Sequence, residues 1–78
     1  MSKEEEFKYD PAGLLDAVKA LNHLPSDAAL ATLLRVAPPV ISKVRHHRML
    51  VGDSLILRCI EFAGMTVPQV RAYIGVHP

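Results

Sequence analysis

Residues 27–48 have the sequence DAALATLLRVAPPVISKVRHHR, and the spacing of their apolar residues predicts two short helices joined by a tight turn. Leu34 lies on the apolar face of the first helix, and Ile41 and Val44 lie one turn apart on the second. Two such short faces cover each other only if the helices cross steeply. The small side chain of Ala31 allows the second backbone to approach, so the rest of the chain is expected to support this pair.

Further short motifs extend this pattern over roughly residues 14–75. They are Leu30-Ala31, Leu34, Val36, Ala37-Pro38, Ile41-Ser42-Lys43-Val44, the segment from Gly52 to Leu57, and Gly64-Met65-Thr66. Together they resemble the lambda-repressor/Cro-like (XRE-type) helix-turn-helix DNA-binding family. The resemblance implies an all-α, compact bundle of about five short helices, in which the second helix of the motif enters a DNA major groove.

The chain departs from the family's pattern at the turn. Arg35 stands where the family usually has glycine, and a non-glycine residue at positive φ costs on the order of 1 kcal/mol. Ala37 stands where Ser or Thr usually caps the second helix, which removes a cap worth about 1 kcal/mol. Because Pro39 disfavours a helical conformation at Pro38, we expect this helix to begin at Pro39 or with a distorted first turn.

The candidate DNA-binding residues lie on and just after this second helix. They are Pro39, Val40, Ser42, Lys43, Arg45, His46, His47 and Arg48. By resemblance, the first four fall where the family's base-contacting side chains stand, and the last three fall near its backbone-contacting loop. Charge favours the same surface, because residues 28–52 contain basic side chains and no Asp or Glu. The alternative is an ordinary solvated helix end, where basic residues are favourable in any protein.

Composition and length exclude several other classes of protein. A chain of 78 residues forms one domain at most, and its net charge of +1 indicates little without the local clustering of charge. No apolar run approaches the roughly 18 residues that cross a bilayer, and the acidic start is the reverse of a signal peptide, so we expect a cytoplasmic protein without membrane contact.

Neither a metal site nor catalysis is expected. His46 and His47 point about 100° apart on a helix and have no ligand partner at helical spacing, and no cofactor motif or activated nucleophile is recognisable. Cys59 has apolar neighbours at helical spacing, including Ile56 and Ala63, and is expected to be a buried core residue rather than a reactive thiol.

The organisation follows from capping signals. Residues 1–9 form an acidic lead that we expect to be flexible, and residues 10–78 form the helix-turn-helix domain. The expected helix starts are marked by Asp10 with Pro11, by Ser26, by Gly52 or its neighbours, and by Thr66 with Gln69. Gly64 and Gly75 are expected to end the last two helices.

Helical stripes predict the core and a dimer surface. The expected core residues on the three central helices are Leu30, Leu34, Ile41, Val44 and Ile56, and the first helix contributes Leu14, Leu15, Val18 and Leu21. A surplus of apolar residues near the C-terminus predicts a homodimer through Leu55, Phe62, Val67, Tyr73 and Ile74.

Two functions fit these features. The first is a dimeric, repressor-like transcriptional regulator that binds double-stranded DNA in a sequence-specific manner through residues 37–45. The alternative is a protein-interaction module derived from a helix-turn-helix, in which a protein partner comes first and DNA binding is weak or secondary. The missing cap, the two prolines and Arg35 keep the alternative open.

Overall fold

The computed structural model describes residues 9–75, so the expected lead lies outside the described residues except for Tyr9. The described part is all α-helical and consists of five helices without strands, which confirms the predicted fold class. The helices are α1 (Pro11–Leu21), α2 (Asp27–Leu34), α3 (Pro38–Arg45), α4 (Asp53–Ala63) and α5 (Val67–Ile74).

The helix ends follow the local chemistry that the sequence predicts. The Asp10 carboxylate accepts the Gly13 N–H at 2.9 Å, and the Ser26 hydroxyl accepts the Ala29 N–H at 3.2 Å. Thr66 and Gln69 form a reciprocal capping box at the start of α5, with bonds of 2.8 and 3.3 Å. Left-handed glycines follow α4 and α5, with φ of 76° at Gly64 and 57° at Gly75.

Helix α1 is the centre of the packing, because it contacts each of the other four helices. Its residues Leu14, Leu15 and Val18 have no solvent exposure. The remaining buried apolar residues come from all the other helices and one connection: Leu30, Ala31, Leu34, Ile41, Val44, Leu55, Cys59, Ala63, Met65, Val70 and Ile74.

Two predictions of burial are wrong. Ile56 is only half-buried, because α4 turns Leu55, Cys59 and Ala63 inward instead. Leu21 is 48 % exposed at the C-terminal end of α1. Ile56 follows the inward-facing Leu55, so the run of apolar residues leaves the phase of the buried stripe undetermined by one position. Leu21 is the last residue of α1, and its side chain reaches solvent there.

Two of the residues assigned to a dimer surface belong to the core. Leu55 and Ile74 are 6 % and 9 % exposed, and Phe62 and Tyr73 are half-buried. Val67 alone among the five is a large exposed apolar side chain, at 47 %. The C-terminal apolar residues therefore serve mainly to fold the chain on itself.

Within residues 9–75, none of the helices combines the length and the apolar character needed to cross a bilayer.

Candidate nucleic-acid interface

Helices α2 and α3 are joined by the three-residue turn 35–37. Arg35 adopts the left-handed conformation, with φ 59° and ψ 44°, at the position where the family pattern favours glycine. The Arg35 N–H donates to Thr32 O at 3.2 Å, and the Val36 N–H donates to Ala31 O at 3.0 Å. These bonds pair the first two amide groups of the turn with carbonyl groups in the last turn of α2.

Two arginines stabilise the turn in a way that sequence reasoning missed. Arg58 on α4 donates from one guanidinium nitrogen to the carbonyl oxygens of Leu34 and Arg35, at 3.2 and 3.0 Å. The guanidinium carbon of Arg35 lies 4.4 Å from the centroid of the Phe62 ring, which is a cation–π contact. Both contacts join α4 to the turn, and their partners lie more than twenty residues apart, so no local pattern could predict them.

The first turn of α3 is short of hydrogen-bond donors. The helix begins at Pro38, one residue earlier than the expected start at Pro39, and Ala37 makes no side-chain cap. The Val40 N–H donates to Ala37 O, three residues back, at 2.9 Å, whereas in the other four helices the capping carbonyl accepts from the residue four positions ahead. The expected distortion of the first turn is therefore present.

Five exposed residues lie side by side on α3 and the residue that follows it. At about 100° of rotation per residue, they cover an arc of about 140°. They are Pro38, Pro39, Ser42, Lys43 and His46, and we refer to them as the α3 arc. The opposite side of the helix carries Ile41 and Val44, which are buried in the core. Four of the predicted site residues therefore lie together on one free helix face.

Arg45 is turned away from the α3 arc. Its guanidinium forms a two-bonded pair with the Asp27 carboxylate, at 2.8 and 2.9 Å, and an ion pair with Asp16 at 3.0 Å. Lys19 contacts the same Asp27 carboxylate at 3.3 Å. The structure thus places Arg45, a predicted DNA contact, in a network that joins α3 to α1 and α2.

The same network explains Asp27, whose negative charge the family pattern does not explain. Hydrogen bonding from Arg45 holds the pKa of the Asp27 carboxyl below its usual value, and reciprocally the pKa of Arg45 is raised. The carboxylate of Asp27 neutralises the charge of the half-buried Arg45 guanidinium. It is a structural residue as well as the first residue of α2.

Val40 also differs from its neighbours on α3. It is half-buried against the core and lines an apolar recess of about 310 Å³ between α3 and α4, together with Val36 and Leu55. Its side chain is therefore not part of the α3 arc, although the sequence pattern places it among the base-contacting positions.

The remaining predicted residues lie in the loop after α3. Arg48 is exposed, and its backbone N–H donates to Lys43 O at 2.7 Å. His47 adopts a left-handed conformation with φ 61°, and its ring packs nearly perpendicular to the Tyr9 ring, with 5.8 Å between the two ring centroids. The Tyr9 hydroxyl accepts the Val51 N–H at 3.0 Å, so this loop is held to the residues that precede α1.

Other chemistry has little support in the described part of the chain. No group of three or more His, Cys, Asp or Glu among residues 9–75 is arranged to hold a metal ion. Cys59 has no exposure, which confirms its predicted place in the core, and burial raises the pKa of its thiol to about 11. The thiol therefore stays protonated at neutral pH and is a poor nucleophile.

Comparison of the chain with protein-family models, with curated proteins and with solved structures found no match.

Proposed function

We propose that this protein is a transcriptional regulator that binds double-stranded DNA in a sequence-specific manner by inserting α3 into the major groove. The observation that carries the proposal is the α3 arc, a helix face of solvent-exposed side chains that combines Lys43 with Ser42 and His46. A helix face of this width suits the major groove, which is about 12 Å wide. Ser, Lys and His side chains can all hydrogen-bond to base edges there.

Electrostatics supports the same surface. Residues 28–52 carry no acidic side chain, and the exposed Arg48 follows the arc directly. The acidic residues that contact α3, Asp16 and Asp27, are paired with Arg45 and do not oppose Lys43. DNA phosphates would therefore meet the positive charge of residues 28–52, which favours binding through counterion release.

Lys43 and Arg48 are assigned different parts. Lys43 lies at one side of the α3 arc and contacts a base edge, so Lys43→Ala costs about 1–3 kcal/mol on the preferred site and reduces discrimination between sites. Arg48 lies beyond the helix and contacts a phosphate. Arg48→Ala therefore weakens binding to all DNA sequences nearly alike and reduces the slope of log K against log salt concentration by about one unit.

The test is fluorescence anisotropy with duplexes recovered by selection from random sequences. Arg71→Ala is the matched control, because it removes an exposed arginine from α5 and leaves α3 unchanged. The control binds like the wild type. If Arg71→Ala weakens binding as much as Lys43→Ala does, the effect is one of net charge and the assignment of α3 is wrong.

A second function has one observation in its favour. Leu50 is 77 % exposed and Met49 is 39 % exposed, and both line the apolar recess between α3 and α4. Exposed apolar side chains next to a recess are typical of a protein-binding surface. In this alternative the chain is a protein-interaction module, and its binding to duplex DNA is weak whatever the salt concentration.

A further inference from the structure

The α3 arc has an apolar end and a polar end. Pro38 and Pro39 form the first turn of the helix and are both exposed to solvent, whereas Ser42, Lys43 and His46 follow toward the C-terminus. Pyrrolidine rings are rigid, so packing them against a ligand costs little conformational entropy. Any ligand that α3 contacts must therefore offer apolar surface at one end of the contact and polar groups at the other.

A phosphate does not fit the apolar end. The first turn of a helix usually binds phosphate through free backbone N–H groups. Pro38 and Pro39 have no N–H, and the next amide, that of Val40, already donates to Ala37 O at 2.9 Å. This end of α3 therefore presents carbon and hydrogen atoms rather than hydrogen-bond donors.

In the major groove, the apolar group on a base edge is the C5 methyl of thymine. We infer that Pro38 and Pro39 contact such a methyl group, so that the preferred DNA site has a thymine close to the base that Lys43 contacts. Pro39 and Lys43 lie one helical turn apart, about 6 Å along the axis, which corresponds to about two base pairs. The inference rests on the proposed DNA-binding function and adds a specificity that the proposal alone does not require.

The experiment removes the methyl group and nothing else. Each selected duplex is resynthesised with deoxyuridine in place of thymine, one position at a time, which keeps the base pair and its hydrogen-bonding groups. In each site, replacement of the one thymine that the prolines contact weakens binding of the wild-type protein about fourfold relative to the thymine duplex. This is the ratio expected when one buried methyl group is lost. A duplex with 5-methylcytosine at that position shows whether the protein requires thymine itself or only a C5 methyl group on a pyrimidine.

Variants assign the effect to α3. Pro39→Ser, and the double variant Pro38→Ser with Pro39→Ser, replace the apolar rings by small polar side chains and bind thymine and deoxyuridine duplexes equally. Pro68→Ser is the matched control, because Pro68 is an exposed proline in the first turn of α5, and it keeps the fourfold difference. Circular dichroism melts confirm that each variant is folded.

Each result has one meaning. Equal binding of thymine and deoxyuridine duplexes by the wild type overturns the inference and leaves the proposed function in place. A difference that persists in the double proline variant also overturns it. If the wild type binds no duplex, the proposed function itself fails and the inference fails with it.

Discussion

At the scale of single residues, Arg35 illustrates how an unfavourable conformation is tolerated. Its φ of 59° is costly for a residue with a side chain, by about 1–2 kcal/mol. Its guanidinium lies over the Phe62 ring, and its carbonyl accepts a hydrogen bond from Arg58. The contacts to α4 therefore compensate for strain that glycine would avoid.

Substitution separates these two effects. Arg35→Ala keeps the strain and loses the cation–π contact, so its free energy of unfolding falls by about 0.5–1 kcal/mol. Arg35→Gly relieves the strain but loses the same contact and gains freedom in the unfolded chain, so its free energy of unfolding stays within about 0.5 kcal/mol of the wild type. Urea denaturation measures both. A gain well above 1 kcal/mol in Arg35→Gly would show that the strain is not compensated.

The Asp27–Arg45 pair makes stability depend on pH. Because Arg45 lowers the pKa of Asp27 in the folded state, the pair stabilises the fold above the unfolded pKa, and this contribution is lost as the pH falls through the lower folded pKa. The relevant window is below about pH 4. Since the Asp27 side chain is 39 % exposed, solvent screening limits the effect to about 1 kcal/mol or less.

Asp27→Asn tests this contribution. Thermal melts between neutral pH and about pH 3 are expected to show a smaller loss of stability on acidification for Asp27→Asn than for the wild type. Glu61→Gln, which removes an exposed carboxylate from α4, is the control and behaves like the wild type. Identical pH profiles for Asp27→Asn and the wild type would contradict the assigned role of the pair.

At the scale of elements, the α2–α3 contact depends on Leu34. Leu34 has no exposure, and deleting most of such a side chain costs about 2–5 kcal/mol. Leu34→Ala is therefore expected to lower the melting temperature strongly in so small a fold. Leu57→Ala removes the same atoms from a leucine that is 57 % exposed on α4, and its melting temperature changes little. Equal melting temperatures for the two variants would show that Leu34 on α2 is not buried in the core.

The helix ends are the part of the fold that could be predicted most closely from sequence. Asp10, Ser26, Thr66 and the glycines Gly64 and Gly75 act on backbone groups within five residues, so their effect is encoded locally. The buried face of α4 could not be predicted, because Leu55, Ile56 and Leu57 are consecutive apolar residues that fit two neighbouring phases.

The candidate site was predictable only in part, for a similar reason. The position of α3 follows from the local pattern, and so does the exposure of Ser42 and Lys43. The pairing of Arg45 with Asp27 joins residues 18 positions apart, and the turn contacts of Arg58 span 23 and 24 positions. Such pairs arise from tertiary packing, which a charge pattern in the sequence does not reveal. For this reason Arg45 was predicted among the DNA contacts.

At the scale of the whole molecule, the proposed function implies a dimer, because most DNA sites of this kind have two-fold symmetry. Leu21, Leu57 and Val67 remain exposed in the folded chain and are available for an interface. Sedimentation at high micromolar concentration, without DNA, is expected to show a homodimer. A monomer under those conditions would contradict this expectation, although a monomer could still bind a single half-site.

The central claim is that α3 and the loop after it bind duplex DNA through their cations. It is tested most directly by titrating the wild-type protein against random-sequence duplexes at several salt concentrations between about 50 and 200 mM. Because Arg48 contacts a phosphate, log K is expected to fall with log salt concentration with a slope of about −0.9 or steeper. A slope near zero, or no binding at the lowest salt concentration, would contradict the claim.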